Sequence, residues 1–258
     1  MSSILFEIRD QLAIIKFNRP EKLNAFNYEM GKAFLERLSE CGSSEEIRGV
    51  YVTGMGKGFS AGQDLAEVTA AGGSSVANML TEVYNPIVNS IRNLNKPVIA
   101  AVNGVAAGAG ANIALCCDIV LASQSASFIQ AFSKIGLVPD SGGTFFLPRL
   151  IGWQKASALF MLGEKLSALE AERWGMIYRV FPDETFEQSS MEMGKNLVSM
   201  PTKALALIKH ALNSSFLNPL ETQLSLENDL QQKASGTFDH KEGIQAFLEK
   251  RQPKFKGA

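Results

Sequence analysis

The stretch PVIAAVNGVAAGAGA, residues 97–111, joins an apolar run to a glycine-rich turn. Pro97–Val102 has the length and composition of a buried strand, and the small residues of 104–110 lead into a helical pattern. The same order occurs earlier, where the strand pattern Arg48–Thr53 precedes a loop with four glycines at 54–62. Strands that alternate with helices need crossover connections, so the sequence predicts an α/β core.

The rest of the chain divides into a mixed first half and a helical second half. Two apolar runs, Ile4–Arg9 and Leu12–Phe17, predict an N-terminal hairpin, and Ile119–Ala122 predicts a further strand. Val76–Leu94 predicts a helix that Pro86 kinks or divides. Other helices are predicted at Tyr28–Cys41, Trp153–Leu162, Ala168–Trp174, Thr185–Val198, Thr202–Asn213, Pro219–Lys233 (capped by Asn218) and near Lys241–Lys250. The helical C-terminal third has no sheet of its own, so it packs on the core or on a neighbouring subunit.

Composition excludes several classes of function. The chain has 258 residues and a formal net charge of −1, which favours neither nucleic acid nor an anionic membrane as a partner. Its three cysteines do not form a disulfide framework, and no secretory signal is recognisable, so a cytoplasmic protein is expected. The two histidines, His210 and His240, have no partners at metal-ligand spacing, so no metal site is predicted.

Two glycine-rich loops, 58–65 (GFSAGQDL) and 103–111 (NGVAAGAGA), each follow a strand and lead into a helix. Small residues let a ligand approach the backbone, and a helix N-terminus presents unpaired N–H groups. Facing loops of this kind can hold an oxyanion between two amides, although glycines that serve only close helix packing explain the pattern equally well. A dinucleotide fingerprint is excluded, because Ile113 occupies the place of its third glycine.

These loops, together with NRPEKLNA at 18–25, resemble the crotonase superfamily of enoyl-CoA hydratases and isomerases, and the similarity extends to 247–253. The resemblance implies an α/β fold built as a spiral of ββα turns. It divides the chain into a spiral core, 1–195, and a C-terminal helical trimerisation region, 196–258. It further implies homotrimers or hexamers and an acyl-CoA thioester substrate, with no cofactor apart from the CoA that the substrate carries.

The same resemblance implies roles for individual residues. The thioester carbonyl would accept hydrogen bonds from the backbone amides of Gln63 and Ala109. The residues that resemble the CoA-binding segments of the superfamily are Lys22, Leu23, Ala25, Ala61, Gly62, Asp64 and Leu65.

The chain departs from the hydratases at both of their catalytic glutamates. Asn112 and Phe132 stand at the two positions, and neither an amide nor a phenyl ring exchanges protons near neutral pH. Simple hydration should therefore be weak or absent. Phe132 is expected to contact the substrate instead.

One carboxylate, Asp140, lies nearby in FSKIGLVPDSGGT, residues 132–144, where isomerases of the superfamily carry their single acid. The resemblance implies that Asp140 takes a proton at one carbon and returns it at another. From the residues alone, without the resemblance, a role of Asp140 as the N-cap of a helix over 144–150 is favoured over catalysis. If the apolar neighbours Leu137 and Val138 bury it, its pKa should rise.

The reaction itself is also suggested by resemblance. The strings 61–65, 103–111 and 131–140 resemble most the superfamily members that isomerise an aromatic epoxide thioester. Two alternatives are a general isomerase of aliphatic enoyl-CoA and an acyl-CoA-binding protein without activity.

Overall fold

The computed structural model describes residues 2–69 and 75–258. Within them, ten strands form a six-stranded sheet of order β1-β2-β3-β5-β7-β10 and a four-stranded sheet of order β4-β6-β8-β9. The strands are β1 (Ile4–Arg9), β2 (Leu12–Phe17), β3 (Gly49–Gly54), β4 (Gly58–Ser60), β5 (Val98–Val102), β6 (Val105–Ala107), β7 (Ile119–Ser123), β8 (Ser127–Ile129), β9 (Lys165–Ser167) and β10 (Arg179–Phe181). All neighbours are parallel except β1 with β2 and β8 with β9.

Helices connect the strands and fill the second half of the chain. Those of the first half are α1 (Tyr28–Ser43), α2 (Leu65–Thr69), α3 (Val76–Met79), α4 (Asn85–Asn93) and α5 (Ala109–Leu115). Those of the second half are α6 (Gly143–Ile151), α7 (Trp153–Leu162), α8 (Ala168–Arg173), α9 (Asp183–Ser199), α10 (Thr202–Ser215), α11 (Leu220–Ser235) and α12 (Phe238–Leu248). Among the described residues, no helix is both long and apolar enough to cross a membrane.

A repeated unit organises the core. In each of the pairs β3/β4, β5/β6 and β7/β8, the first strand joins the larger sheet and the second joins the smaller one, and helices follow. Both faces of the larger sheet are buried: Ile15 and Val52 pack towards α1 and α4, whereas Ile14 and Tyr51 pack towards α9. The predicted α/β class and the spiral of ββα turns are thus confirmed. The segments that follow β4, β6 and β8 all line one cavity.

Several short elements differ from the sequence prediction. The predicted loop 54–62 contains β4, because Gly58 and Ser60 pair with β6. Residues 127–129, 165–167 and 179–181 also form strands. The sequence does not predict them, because three residues are too few to show a strand pattern. Because β10 pairs with β7, the C-terminal third is not purely helical.

The predicted cap of α11 is wrong by one residue. Pro219 has an extended ψ of 158° and stands before the first helical residue, Leu220. The Asn218 side chain does not cap the helix; its Nδ2 donates to Gln223 Oε1 at 3.0 Å instead.

The segment predicted as one kinked helix, Val76–Leu94, contains a π-helical turn at Leu80–Tyr84 between α3 and α4. The amide of Asn85 donates to Leu80 O, five residues back. The extra residue accommodates Pro86, which has no N–H to donate and whose ring crowds the preceding turn. The turn places Tyr84 on the side of α5 and the glycine-rich loops.

A polar cluster ties α10 to the larger sheet. The carboxylate of Asp118 accepts from Lys209 Nζ at 2.7 Å, from Arg92 Nη1 at 3.3 Å and from the amide of Val98 at 2.8 Å. Burial lowers the pKa of Lys209, and Asp118 opposes that effect.

The predicted division of the chain at residue 195, between a spiral core and a C-terminal helical region, falls within α9 (Asp183–Ser199) and stays a prediction.

Candidate active site

The cavity that collects the predicted site residues has a volume of about 400 Å³. Its walls come from the two glycine-rich loops, the helical segment 76–84 and the segment 131–140. Six of the predicted residues line it: Ala61, Gln63, Leu65, Ala109, Phe132 and Asp140. Most of the remaining wall is apolar, so a hydrophobic acyl group fits this space better than a charged one.

The two loops meet closely enough for their amides to act on one oxygen. A Cβ on Gly62 would lie 2.7 Å from Ala107 O and 3.4 Å from Ala109 N, so the first loop passes directly against the second. Ala109 is the first residue of α5, where the amide has no partner in its own helix. Among residues 2–69 and 75–258, neither the backbone N–H of Gln63 nor that of Ala109 donates a hydrogen bond. The arrangement suits an oxyanion hole.

Gly62→Ala is expected to lower turnover of an acyl-CoA thioester by about 100-fold or more, the effect of losing one such donor. The φ of Gly62 is +87°, which L-residues rarely adopt, and the new methyl group would collide with Ala107 O. Steady-state kinetics with a CoA thioester measures the loss.

Gly152→Ala is the matched control for this variant. Gly152 has a φ of +80°, but none of the residues that the structure describes lies within 4 Å of a new Cβ, so it carries the backbone strain without displacing a loop. Equal activity losses in the two variants would show that strain alone, and not the position of the amides, causes the effect.

Asp140 faces the cavity from the turn before α6. Its Oδ1 accepts from the Ser141 hydroxyl at 2.9 Å, and Oδ2 accepts no hydrogen bond from the described part of the chain. Burial raises the pKa of the Asp140 carboxyl to about 6, although the Ser141 hydroxyl acts in the opposite direction. A carboxylate with this pKa and one free oxygen can remove and return a proton near neutral pH.

The alternative role of Asp140 as a helix cap is not borne out. The cap residue of α6 is Gly142, and no side chain in the described part of the chain accepts a hydrogen bond from the first turn. The backbone carbonyl of Asp140, not its carboxylate, accepts from Gly143 N at 2.8 Å. Because Ser141 and Gly142 have φ values of +51° and +75°, the turn directs the carboxylate away from the helix end.

The segments predicted to hold CoA lie side by side next to the cavity. Leu23 O accepts from Ala61 N at 2.9 Å, and Phe26 N donates to Gly62 O at 2.6 Å. Asn24 is fully buried and fastens the turn through hydrogen bonds to Met55 O at 2.9 Å and Gly58 O at 2.7 Å. The structure therefore brings the two segments together beside the cavity that Ala61 and Leu65 line.

Individual residues of these segments differ in what they expose. Lys22, Leu23 and Leu65 are exposed, whereas Ala25 is buried. Lys22, Leu23, Ala25, Gly62 and Asp64 do not line the cavity. The carboxylate of Asp64 is already paired with Arg19 at 2.8 Å.

Sequence reasoning missed the wall formed by residues 76–84. Met79, Leu80 and Tyr84 line the cavity, and the Tyr84 hydroxyl donates to Gln63 Oε1 at 2.5 Å. Burial raises the pKa of Tyr84, and Asp140 and Glu67 act in the same direction, so the hydroxyl stays protonated. Pro86 indicates an irregular helix, but no local sequence pattern indicates the π-helical turn that directs Tyr84 towards the cavity.

The described residues contain no group of three or more His, Cys, Asp or Glu side chains that could hold a metal ion. Cys41, Cys116 and Cys117 are buried and unpaired, and burial raises the pKa of Cys41 to about 12, so this thiol is no nucleophile.

Comparison with known proteins agrees with this geometry. The model of the enoyl-CoA hydratase/isomerase family matches residues 7–258. The 1,2-epoxyphenylacetyl-CoA isomerase of Escherichia coli (strain K12) is 47% identical, with 100% of this chain and 99% of the relative covered. The trans-2-decenoyl-[acyl-carrier-protein] isomerase of Streptococcus mutans is 35% identical, with 98% of each chain covered. A crystal structure of an enoyl-CoA hydratase from Polaromonas sp. JS666 superposes with a TM-score of 0.91 at 35% identity, over 98% of this chain and 99% of that one. The chain therefore belongs to the enoyl-CoA hydratase/isomerase family, the crotonase superfamily of enzymes that act on acyl-CoA thioesters.

Proposed function

We propose that this chain isomerises ring-1,2-epoxyphenylacetyl-CoA to the corresponding oxepin-CoA, a step of phenylacetate degradation. The observation that carries the proposal is the single carboxylate of Asp140, which among the described residues is the only one that lines the cavity. Asn112 and Phe132 stand at the positions of the hydratase glutamates. The acid and the base that would add water across a double bond are therefore absent from these two positions. The 47% identity to the isomerase of Escherichia coli supports the aromatic substrate.

The proposed reaction begins at the thioester. The amides of Gln63 and Ala109 bind the carbonyl oxygen and contribute roughly 3–4 kcal/mol each as negative charge develops there. Asp140 removes the α-proton. The electron pair of the broken C–H bond moves towards the carbonyl and forms an enolate. No separate cofactor takes part, because the CoA moiety belongs to the substrate.

The second half of the reaction balances the first. The carbon–carbon bond shared by the epoxide and the ring breaks, and the oxygen stays bonded to both carbons, so the ring expands. The proton held by Asp140 returns to a ring carbon. No atom is gained or lost, and the carboxylate ends ionised, ready for the next turnover.

The rate of turnover should depend on pH through Asp140. With its pKa near 6 in the free protein, the carboxyl is protonated and inactive below that value, so kcat/KM rises with pH through about 6 and levels off above it. A profile of kcat/KM against pH from about 4.5 to about 8.5 measures this rise. Binding of phenylacetyl-CoA over the same range serves as the control, and a kcat/KM that falls or stays flat through pH 6 contradicts the assignment.

A second candidate is a Δ3,Δ2-enoyl-CoA isomerase that moves a double bond in an aliphatic chain. It is favoured by the 35% identity to an isomerase of decenoyl chains and by the apolar cavity wall of Met79 and Leu80. The same carboxylate and amides would serve this reaction. Turnover of epoxyphenylacetyl-CoA relative to 3-hexenoyl-CoA distinguishes the two. A higher kcat/KM for the aliphatic substrate would overturn the aromatic assignment.

A catalytically silent acyl-CoA-binding protein is the remaining alternative. It predicts binding of CoA thioesters without entry of solvent deuterium at the α-carbon. NMR of phenylacetyl-CoA in D2O with and without the protein decides this point, since the proposed enzyme exchanges the α-protons.

We also propose that the chain assembles into a homotrimer or a hexamer through its C-terminal helices. These helices expose large apolar side chains, such as Leu220 at 68% and Phe247 at 82% exposed. Exposed apolar surface of this extent is characteristic of an interface between proteins. The molecular mass in solution, measured by light scattering, tests the assembly; a monomer would contradict it.

A further inference from the structure

Asn112 lies behind Asp140, outside the cavity, in a short relay of hydrogen bonds. Gln130 Nε2 donates to Asn112 Oδ1 at 2.8 Å, and Asn112 Nδ2 donates to the backbone oxygen of Asp140 at 2.9 Å. Gln130 is 2% exposed and Asn112 is fully buried. Neither residue lines the cavity, so the relay reaches the turn that carries Asp140 from within the protein interior.

The Asn112 side chain is closely packed against the start of α6. A Cβ on Gly143 would lie 2.7 Å from Asn112 Cγ, so the glycine packs directly against the amide. Gly143 N also donates to the same Asp140 oxygen at 2.8 Å. Two donors thus fix one carbonyl, next to residues 141 and 142 in left-handed conformations. The orientation of this carbonyl determines where the Asp140 side chain starts.

The relay is not explained by packing alone. Among the described residues, Gln130 Oε1 is buried and accepts no hydrogen bond. A buried acceptor without a donor is unfavourable, and an apolar side chain of similar shape would avoid it. What the amide pair contributes is the two hydrogen bonds donated by Gln130 Nε2 and Asn112 Nδ2.

We propose that Gln130 and Asn112 are positioning residues that aim the Asp140 carboxylate at the substrate. The donor character of Asn112 is essential, because a carboxylate at this place would turn an acceptor towards the Asp140 carbonyl and repel it. A carboxylate at position 112 would therefore displace the backbone of residue 140, and the Asp140 carboxylate would no longer be placed correctly. The inference rests on the proposed function, since it assigns Asp140 as the base.

Asn112→Asp is the direct test, because it keeps the shape of the side chain and replaces the donor with an acceptor. A displacement of the carboxylate by about 1 Å lowers kcat roughly 100-fold, so a loss between about 10-fold and 100-fold is expected. The affinity for phenylacetyl-CoA should stay within about twofold, since the amides and the cavity wall are untouched. A merely structural role would not separate kcat from affinity in this way.

Gln130→Glu tests the relay from a distance and covers the case in which Asn112→Asp does not fold. The carboxylate that this change introduces cannot donate to Asn112, so the Asn112 amide should turn and present its oxygen to the Asp140 carbonyl. The same selective loss of kcat is expected. Asn213→Asp on α10 is the control for an isosteric amide-to-acid change away from the cavity, with kcat unchanged.

The outcomes separate the two proposals. Wild-type protein that fails to exchange the α-protons of phenylacetyl-CoA overturns the proposed function and this inference with it. Wild-type exchange together with unchanged kcat in folded Asn112→Asp or Gln130→Glu overturns only the positioning role. Loss of binding in parallel with kcat also overturns it, because the relay would then support the cavity as a whole.

Discussion

Asp140→Asn is expected to lower α-proton exchange and isomerisation by about 10²–10⁴-fold, the range typical of a removed general base. The amide keeps the size of the carboxylate but cannot take up a proton. Binding of phenylacetyl-CoA should remain nearly unchanged, because the Gln63 and Ala109 amides do not depend on this side chain. NMR of the thioester in D2O gives the exchange rate, and calorimetric titration gives the affinity. Full exchange in the variant would contradict the role of Asp140.

The same variant should be more stable than the wild type at pH 7. The pKa of Asp140 is about 6 in the folded chain, above the value of about 3.9 expected when unfolded, so the folded state holds this proton more tightly. Its contribution to stability is therefore present below about pH 4 and lost as the pH rises through about 6. Removing the buried charge restores at most about 3 kcal/mol at pH 7. Urea unfolding at about pH 7 and about pH 4 measures the difference, which should vanish at the lower pH.

Asp118→Asn is expected to destabilise the fold by about 3–5 kcal/mol, because it leaves the buried Lys209 and the partly buried Arg92 without their counter-charge. Lys209 is 7% and Arg92 is 19% exposed in their side chains, so water screens neither fully. A loss of this size is a large part of the roughly 5–15 kcal/mol typical of a folded domain. Urea unfolding measures it, and detachment of α10 should accompany it.

Glu170→Gln is the control for this prediction. Glu170 pairs with Arg173 at 2.7 Å, but their side chains are 46% and 72% exposed, so the pair contributes less than about 1 kcal/mol. Similar losses in the two variants would show that burial does not distinguish these ion pairs.

Long periodic segments of this fold could be predicted from sequence, and short ones could not. The apolar run of β5 and the helical pattern of α7 follow from local composition, because each buries its own face. β4 and β10 have only three residues each, and their strand geometry comes from pairing with β6 and β7 rather than from propensity. The start of α11 was misplaced because Pro219 satisfies the patterns of a cap position and of a first turn alike.

The candidate site divides in the same way. Gln63, Ala109 and Asp140 could be predicted as site residues because their neighbours form motifs that resemble a known superfamily. Tyr84 and Leu80 could not, since they reach the cavity through a π-helical turn, and no local pattern announces a change from α to π geometry. The cap alternative for Asp140 could be rejected only by geometry, because the turn at 141–142 sends the carboxylate away from the helix. The relay through Asn112 likewise depends on contacts between residues far apart in sequence.

The most direct test of a single-carboxylate isomerase is an NMR measurement of ring-1,2-epoxyphenylacetyl-CoA with the wild-type enzyme in D2O, run beside crotonyl-CoA in the same buffer. We expect the epoxide to be converted to the oxepin thioester without incorporation of water into the product. Little or no 3-hydroxybutyryl-CoA should form from crotonyl-CoA. Rapid hydration of crotonyl-CoA with an unchanged epoxide would contradict the assignment of Asp140 as the single proton carrier.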